Sequence, residues 1–112
     1  MDSPKVVNAL SSLAQEHRLQ LFRLLVQAGE QGMSAGAIAE ALGVPNSSLS
    51  FHLAQLTKSG LIRQERHSRS LIYSADYAAM NQLVAYLMEN CCGGVECSAA
   101  EEPQPSTKRK SA

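Results

Sequence analysis

The sequence lacks long apolar runs, a net charge and abundant cysteine. No segment approaches the ~20 consecutive apolar residues that a membrane-spanning helix requires. The opening stretch MDSPKVVNALSSLAQEHR has no basic lead followed by an apolar run, which a secretory signal would show. We therefore expect a cytoplasmic protein with no membrane partner. Because the chain holds three cysteines, an odd number, we expect reduced thiols with a chemical task and no disulfide framework.

Groups that an enzyme would need are also missing. No Cys–His pair, carboxylate pair or phosphate-binding loop stands at a usable spacing. We therefore predict that the protein is not an enzyme and uses no catalytic cofactor. Its 112 residues are 45% apolar and 18% charged, which is typical of one globular domain. A domain of this length buries only about two-thirds of its unfolded surface, so a partner subunit would add stability.

Charge is unevenly distributed, although the formal total is zero. Residues 44–72 carry one acid, Glu65, and four basic side chains: Lys58, Arg63, Arg66 and Arg69. Acidic residues instead surround the cysteines: Glu89, Glu96, Glu101 and Glu102. The pattern indicates two chemically different regions.

Apolar spacing and helix-end signals predict five helices and one hairpin. The helices cover about residues 4–14, 16–28, 34–43, 44–60 and 76–90, and the strands cover about 61–66 and 70–74. The predicted fold class is mainly α with a small β-hairpin, in the order α-α-α-α-β-β-α. The third and fourth helices, joined by a tight turn at Gly43, form a helix-turn-helix. With the hairpin behind them, the plan is a winged helix-turn-helix.

The fourth helix offers a surface for double-stranded DNA. Its apolar residues Leu49, Leu53 and Leu56 share one side. The opposite side presents short or neutral hydrogen-bonding groups, which suit base edges and phosphates: Ser47, Ser48, Ser50, His52 and Gln55. A serine-rich first turn can also be only a good helix start, so this face alone decides nothing. Phe51, on the same helix, is expected to pack against the next element rather than to contact a base.

The hairpin tip strengthens the DNA hypothesis. Arg66, His67 and Arg69 stand on a thin projection directly after the helix, where they could reach phosphate or a minor groove. A basic tip by itself is more often a solvated turn. The ordered combination of helix-turn-helix and basic hairpin favours DNA binding.

Residues 13–73 resemble the ArsR/SmtB family of small bacterial winged-helix repressors. The resemblance rests on LAQEHRLQLFRLL, AIAEALGVPNSSLSFHLAQLTKSGLI and RQERHSRSLIYS, and SSLSFHLAQLTKSGLI is its most specific part. It extends over about residues 4–92. It implies a homodimer formed through the first and last helices, which binds an imperfect inverted repeat in its own promoter and releases it when an inducer binds.

Two of the family's inducer sites have no counterpart in this sequence. The family's Cys-Val-Cys arsenic site corresponds to residues 33–37, MSAGA, which contain no cysteine. Its zinc site uses an aspartate and histidines along the last helix, and that helix retains Asp76 but has no histidine. Cys91, Cys92 and Cys97 resemble a third subtype, in which three cysteines at the end of the last helix capture arsenite or antimonite. Soft thiolate ligands select such soft ions.

Other uses of the three cysteines remain open. Zinc would ordinarily need a fourth protein ligand, and another soft metal, thiol oxidation or a sulfide response would fit the same thiols. A metal-storage protein that does not bind DNA would explain the cysteines. It would not explain the polar, serine-rich side of the fourth helix. We assign residues 1–92 to the DNA-binding and dimerisation domain and 93–112 to a flexible tail that carries the third inducer cysteine.

Overall fold

Helices form most of the protein in the computed structural model, which describes residues 1–94. In this part of the chain the helices are α1 (Ser3–Leu13), α2 (Glu16–Ala28), α3 (Ala35–Leu42), α4 (Asn46–Lys58) and α5 (Tyr77–Leu87). The strands are β1 (Met33–Ser34), β2 (Ile62–His67) and β3 (Ser70–Ala75). The predicted winged helix-turn-helix is confirmed. Cys97 and nearly all of the predicted tail lie outside the described residues.

Side-chain caps mark the starts of four helices, and that of α2 is Gln15, whose Oε1 accepts from the Arg18 amide at 3.0 Å. Asp2, Ser34 and Asp76 accept hydrogen bonds from backbone amides three residues ahead, at 3.1, 3.2 and 3.0 Å. Each bond satisfies one of the N–H groups that a first helical turn leaves without a partner. The starts predicted from these residues are confirmed to within a residue. The last helix is shorter than predicted, because α5 ends at Leu87 rather than near Asn90.

The hairpin belongs to a three-stranded antiparallel sheet in the order β1-β3-β2. Strands β2 and β3 pair from Ile62 opposite Ala75 to His67 opposite Ser70, leaving Ser68 and Arg69 at the tip. Ser68 takes the left-handed backbone conformation, with φ 57°, as a two-residue hairpin turn requires. Strand β1 is an addition to the prediction: Met33 pairs with Tyr73. Its two residues are too few to show an alternating pattern in sequence.

The core lies between helices α1 to α4 and the sheet. Its largest fully buried side chains are all aliphatic: Leu21, Leu25, Ile38, Leu49, Leu56 and Leu61. Leu53 is also buried, so the prediction that one side of α4 faces inward is confirmed. Tyr77 joins the start of α5 to the end of α2, because its hydroxyl donates to the carbonyl oxygen of Val26 at 2.9 Å.

Helices α1 and α5 leave apolar side chains in solvent. Helix α5 buries only Leu83. Large apolar residues on or next to α5 are exposed, as are two on α1: Val84, Leu87, Met88, Val7 and Leu10. Exposed apolar surface of this kind marks an interaction site more often than a solvated face.

Gly32 is the position where the fold is least tolerant of a side chain. Its φ is +71°, and a Cβ atom there would overlap the carbonyl oxygen of Tyr73 and approach Ile72 Cγ2 to 2.8 Å. We expect Gly32→Ala to lower the free energy of unfolding by about 1–3 kcal/mol. Gly36→Ala is the matched control, because Gly36 lies in α3 with nothing within 4 Å of the added Cβ.

Gly36→Ala should be neutral or raise the free energy of unfolding by up to about 1 kcal/mol. Urea denaturation followed by circular dichroism, at one protein concentration, measures both variants. Equal stability of the two variants would contradict the close packing of β1 against β3.

Candidate nucleic-acid interface

The outward side of α4 carries small polar groups. Ser47, Ser48 and Ser50 are exposed, and Gln55 is half-buried. No acidic residue occurs in α4, so nothing on this helix would repel a phosphate backbone. The helix is preceded by Pro45, which makes no side-chain capping bond. The first amides of α4 are therefore not capped in the way that those of α1, α3 and α5 are.

His52 does not share this exposed side. It is only 8% exposed, and its ring centroid lies 5.7 Å from that of His17. Its Nδ1 is 3.4 Å from Nη1 of Arg18. The expected place of His52 on the exposed face is therefore wrong, because the side chain turns toward the start of α2.

Burial lowers the pKa of His52 below its ordinary value of 6.5, and the positive charges of Arg18 and His17 lower it further. The neutral ring suits the neighbouring guanidinium, because Nη1–H of Arg18 can donate to an unprotonated Nδ1. Arg18 is itself held in place, since its Nε donates to the carbonyl oxygen of Ser12 at 2.7 Å. His52 is thus part of a junction between α2 and α4.

Phe51 lies on the outward side of α4 and is 56% exposed. Its ring meets the ring of His52 edge-on, with centroids 5.8 Å apart. The guanidinium carbon of Arg18 lies 6.0 Å from the Phe51 centroid. The expectation that Phe51 packs against the next element is wrong. Its position four residues after Ser47, one helical turn, places both on one face, which was visible in the sequence.

The hairpin is polar and exposed along most of its length. Every residue from Arg63 to Ser70 is exposed, so Arg66 and Arg69 both stand in solvent. His67 lies 3.1 Å from the carboxylate of Glu65, an exposed contact. The structure thus brings the predicted basic residues together on one projection behind α4.

Cys91 and Cys92 follow α5 in a tight turn, Cys91–Gly94. Cys91 is half-buried and Cys92 is exposed. Asn90, Cys92 and Gly93 take left-handed backbone angles, with φ 58°, 59° and 67°, so the chain bends sharply here. Among residues 1–94, no three His, Cys, Asp or Glu side chains are grouped to hold a metal ion. The predicted third ligand, Cys97, falls outside this range.

Known proteins share both the sequence pattern and the fold. A family model described as a helix-turn-helix domain matches residues 13–65. The HTH-type transcriptional regulator YgaV of Escherichia coli (strain K12) is 33% identical over 79 residues, covering 70% of this chain and 80% of that protein. An ArsR-like transcriptional regulator from Rhodococcus sp. RHA1 has a TM-score of 0.71 at 24% identity, covering 81% of this chain and 82% of that one.

A second solved structure is the homodimeric winged helix-turn-helix DNA-binding domain of Mb0332 from Mycobacterium bovis, described as a possible ArsR-family transcriptional regulator. It is 27% identical, with a TM-score of 0.61, and the match covers 84% of this chain and 87% of that one. The chain belongs to the ArsR/SmtB family. This ArsR/SmtB protein is therefore a winged-helix transcriptional regulator, and the relatives compared are regulators rather than enzymes.

The helices of this ArsR/SmtB protein are short. Over residues 1–94, no helix combines the length and the apolar character needed to cross a bilayer.

Acid should destabilise this ArsR/SmtB protein through His52. The pKa of His52 is lowered in the folded protein and returns to about 6.5 on unfolding. Between these two values the unfolded state binds more protons, so the free energy of unfolding falls as the pH drops through that window. We expect a smaller fall for His52→Gln, measured by urea denaturation at pH about 7.5 and about 5.5.

His67→Gln is the control, since the His67 ring is exposed at the hairpin tip. The pH dependence of the free energy of unfolding should change less in this variant than in His52→Gln. If His52→Gln kept the wild-type pH dependence, the lowered pKa of His52 would be contradicted.

Proposed function

We propose that this regulator is a homodimeric repressor that binds operator DNA and is released when arsenite or antimonite binds Cys91, Cys92 and Cys97. The observation that carries the DNA-binding part is the serine face of α4 beside the basic β2–β3 hairpin. The observation that carries the inducer part is the pair of adjacent thiols directly after α5.

Helix α4 would enter the major groove by its first turn. Three features favour this: exposed hydroxyls at Ser47, Ser48 and Ser50, the absence of acidic residues from the helix, and first-turn amides without a side-chain cap from Pro45. Helix N-terminal amides bind phosphate and base acceptors. Short hydroxyl groups contact bases without holding the helix away from the groove.

The hairpin would contact the sugar-phosphate backbone of the DNA, next to the groove that α4 enters. Arg66 and Arg69 lie at or next to its tip and are exposed. Contacts from arginine to phosphate release bound counterions, which makes affinity depend on salt. His67 shares the tip, and its ring can add a hydrogen bond to the phosphate contacts there.

Dimerisation would use the exposed apolar faces of α1 and α5. A single protomer leaves apolar side chains exposed to solvent on α1 (Val7 and Leu10) and on or next to α5 (Val84, Leu87 and Met88). The M. bovis relative is homodimeric. A dimer would present two copies of α4 to half-sites about one DNA turn, ~34–36 Å, apart.

The chemistry of the thiols favours a soft, trivalent inducer. Arsenite and antimonite bind thiolate sulfur and take three sulfur ligands in a pyramid. The left-handed backbone at Asn90, Cys92 and Gly93 bends the chain directly after α5, which would help a third thiol reach the same centre. Zinc would need a fourth protein ligand.

The thiols are close enough to α5 to affect a dimer contact. Cys91 follows Leu87 by four residues, and its amide donates to the carbonyl oxygen of Met88 at 3.0 Å. Binding of an ion would reorganise this turn and shift Leu87 and Met88 in the proposed interface. A coupling of ~1–3 kcal/mol, which is typical, weakens operator binding about 5- to 150-fold.

The DNA surface is tested by Ser50→Ala and Arg66→Ala, measured by fluorescence anisotropy on operator duplex over a range of salt. Each variant should weaken binding about 5- to 50-fold, and Arg66→Ala should also reduce the slope of log affinity against log salt by about 1. Lys5→Ala on α1 is the matched charge control and should bind like wild type. Wild-type affinity for both test variants would place the interface elsewhere.

The inducer site is tested by Cys91→Ser, Cys92→Ser and Cys97→Ser. Each should bind operator but lose arsenite-triggered release, because two thiols hold the ion less tightly than three. Ser98→Ala, which changes the neighbour of Cys97 in sequence without removing a thiol, is the control and should still respond. A response like wild type in all three serine variants would exclude the thiol site.

The same assay separates the other uses of the cysteines. Release by zinc but not by arsenite would indicate another metal, and release by peroxide alone would indicate thiol oxidation. A protein that binds arsenite but no duplex would be a metal-binding protein without an operator.

A further inference from the structure

Phe51 is the only large apolar side chain on the outward side of α4, and the polar hydrogen-bonding groups do not explain it. The other exposed large apolar residues of the described chain lie on or next to α1, α2 and α5. Ser47 and Ser48 precede Phe51 by about one turn, and Ala54 follows it by three residues, all exposed. A phenyl ring kept in water forgoes the stabilisation that burial would give, so a partner surface that covers it would gain affinity.

The ring is held by neighbours on one side only. The His52 ring meets it edge-on at 5.8 Å, and the Arg18 guanidinium carbon is 6.0 Å from its centroid. Arg18 is anchored to the Ser12 carbonyl oxygen, and His52 is buried. These contacts restrain the phenyl ring beside α2, while more than half of the residue remains open to solvent.

We infer that Phe51 contacts the C5-methyl group of a thymine in the operator and makes that base pair a specificity determinant. In the major groove the thymine methyl is the apolar feature that side chains such as phenylalanine read. Loss of this methyl group leaves the hydrogen-bonding edge of the base unchanged. The inference rests on the proposed function, since it requires α4 to enter the major groove.

The position of Phe51 favours a methyl contact over insertion between bases. Apolar wedges that separate base steps act from the minor groove and kink the duplex. Phe51 lies on the α4 face that also carries Ser47, a group suited to base edges, and no acidic residue of α4 would hold the helix away from the bases. Arg18 acts through the ring as a positioning residue.

The experiment uses the full chain and a duplex selected by it from a random pool. Each thymine of that duplex is replaced in turn by deoxyuridine, which pairs identically but lacks the methyl group. We expect wild type to lose about fourfold in affinity at one position or one symmetric pair, the effect of one buried methyl group. Phe51→Ala should bind more weakly and show no difference between thymine and uracil there.

Two further variants make the result specific. Leu19→Ala removes an exposed apolar side chain of α2 and should retain the uracil effect. Arg18→Gln should reduce that effect without abolishing operator binding, as expected for a residue that only positions the ring. Phe51→Gln, which replaces the phenyl ring by a polar side chain, takes the place of Phe51→Ala if the latter binds too weakly to measure, and it should likewise show no uracil effect.

The outcomes separate this inference from the proposed function. If wild type selects no duplex at all, operator binding itself fails. If wild type binds its duplex tightly but no uracil substitution changes the affinity, operator binding stands and the Phe51 contact is overturned. An equal uracil effect in wild type and in the Phe51 variants would also overturn it, because another residue would then read the methyl group.

Discussion

Burial of the leucines of α4 is the constraint on which the proposed interface depends. Leu49, Leu53 and Leu56 enter the core, and a helix with three side chains on one stripe in a packed interior cannot rotate about its axis without opening cavities. The outward direction of Ser47 and Phe51 follows from that burial. The side chains on the surface proposed to face DNA are thus determined by residues that are themselves buried.

A polar junction holds α4 to α1 and α2. Near the middle of α4, Arg18 joins the Ser12 carbonyl oxygen to the His52 ring. Near its end, the hydroxyl groups of Ser12 and Ser59 are 3.0 Å apart. Because these contacts share Ser12, the end of α1 is connected to α4 at two places. Helix α1 is part of the proposed dimer face. A movement of α1 would therefore change the position of α4 relative to the core.

Local signals allowed most of the fold to be predicted, and long-range contacts account for what was missed. Asp2, Ser34 and Asp76 cap helices through atoms three residues away, so sequence alone reveals them. Strand β1 exists only through its pairing with β3, which no local pattern encodes. His52 lies three residues after Leu49 and four before Leu56, so helical spacing places it on the buried stripe of α4, although a polar side chain there does not signal burial. Its partners, the His17 ring and Arg18, are distant in sequence.

Leu83 is the one buried residue of α5, and Tyr77, Met80 and Tyr86 pack against the core only in part. If its remaining apolar side chains are covered by a second copy, folding of this helix and assembly become one equilibrium that depends on protein concentration. A newly made chain would then present a weakly held C-terminal helix to cellular proteases until it meets its partner. Turnover would fall on unassembled copies, and the abundance of active regulator would rise more steeply than its rate of synthesis.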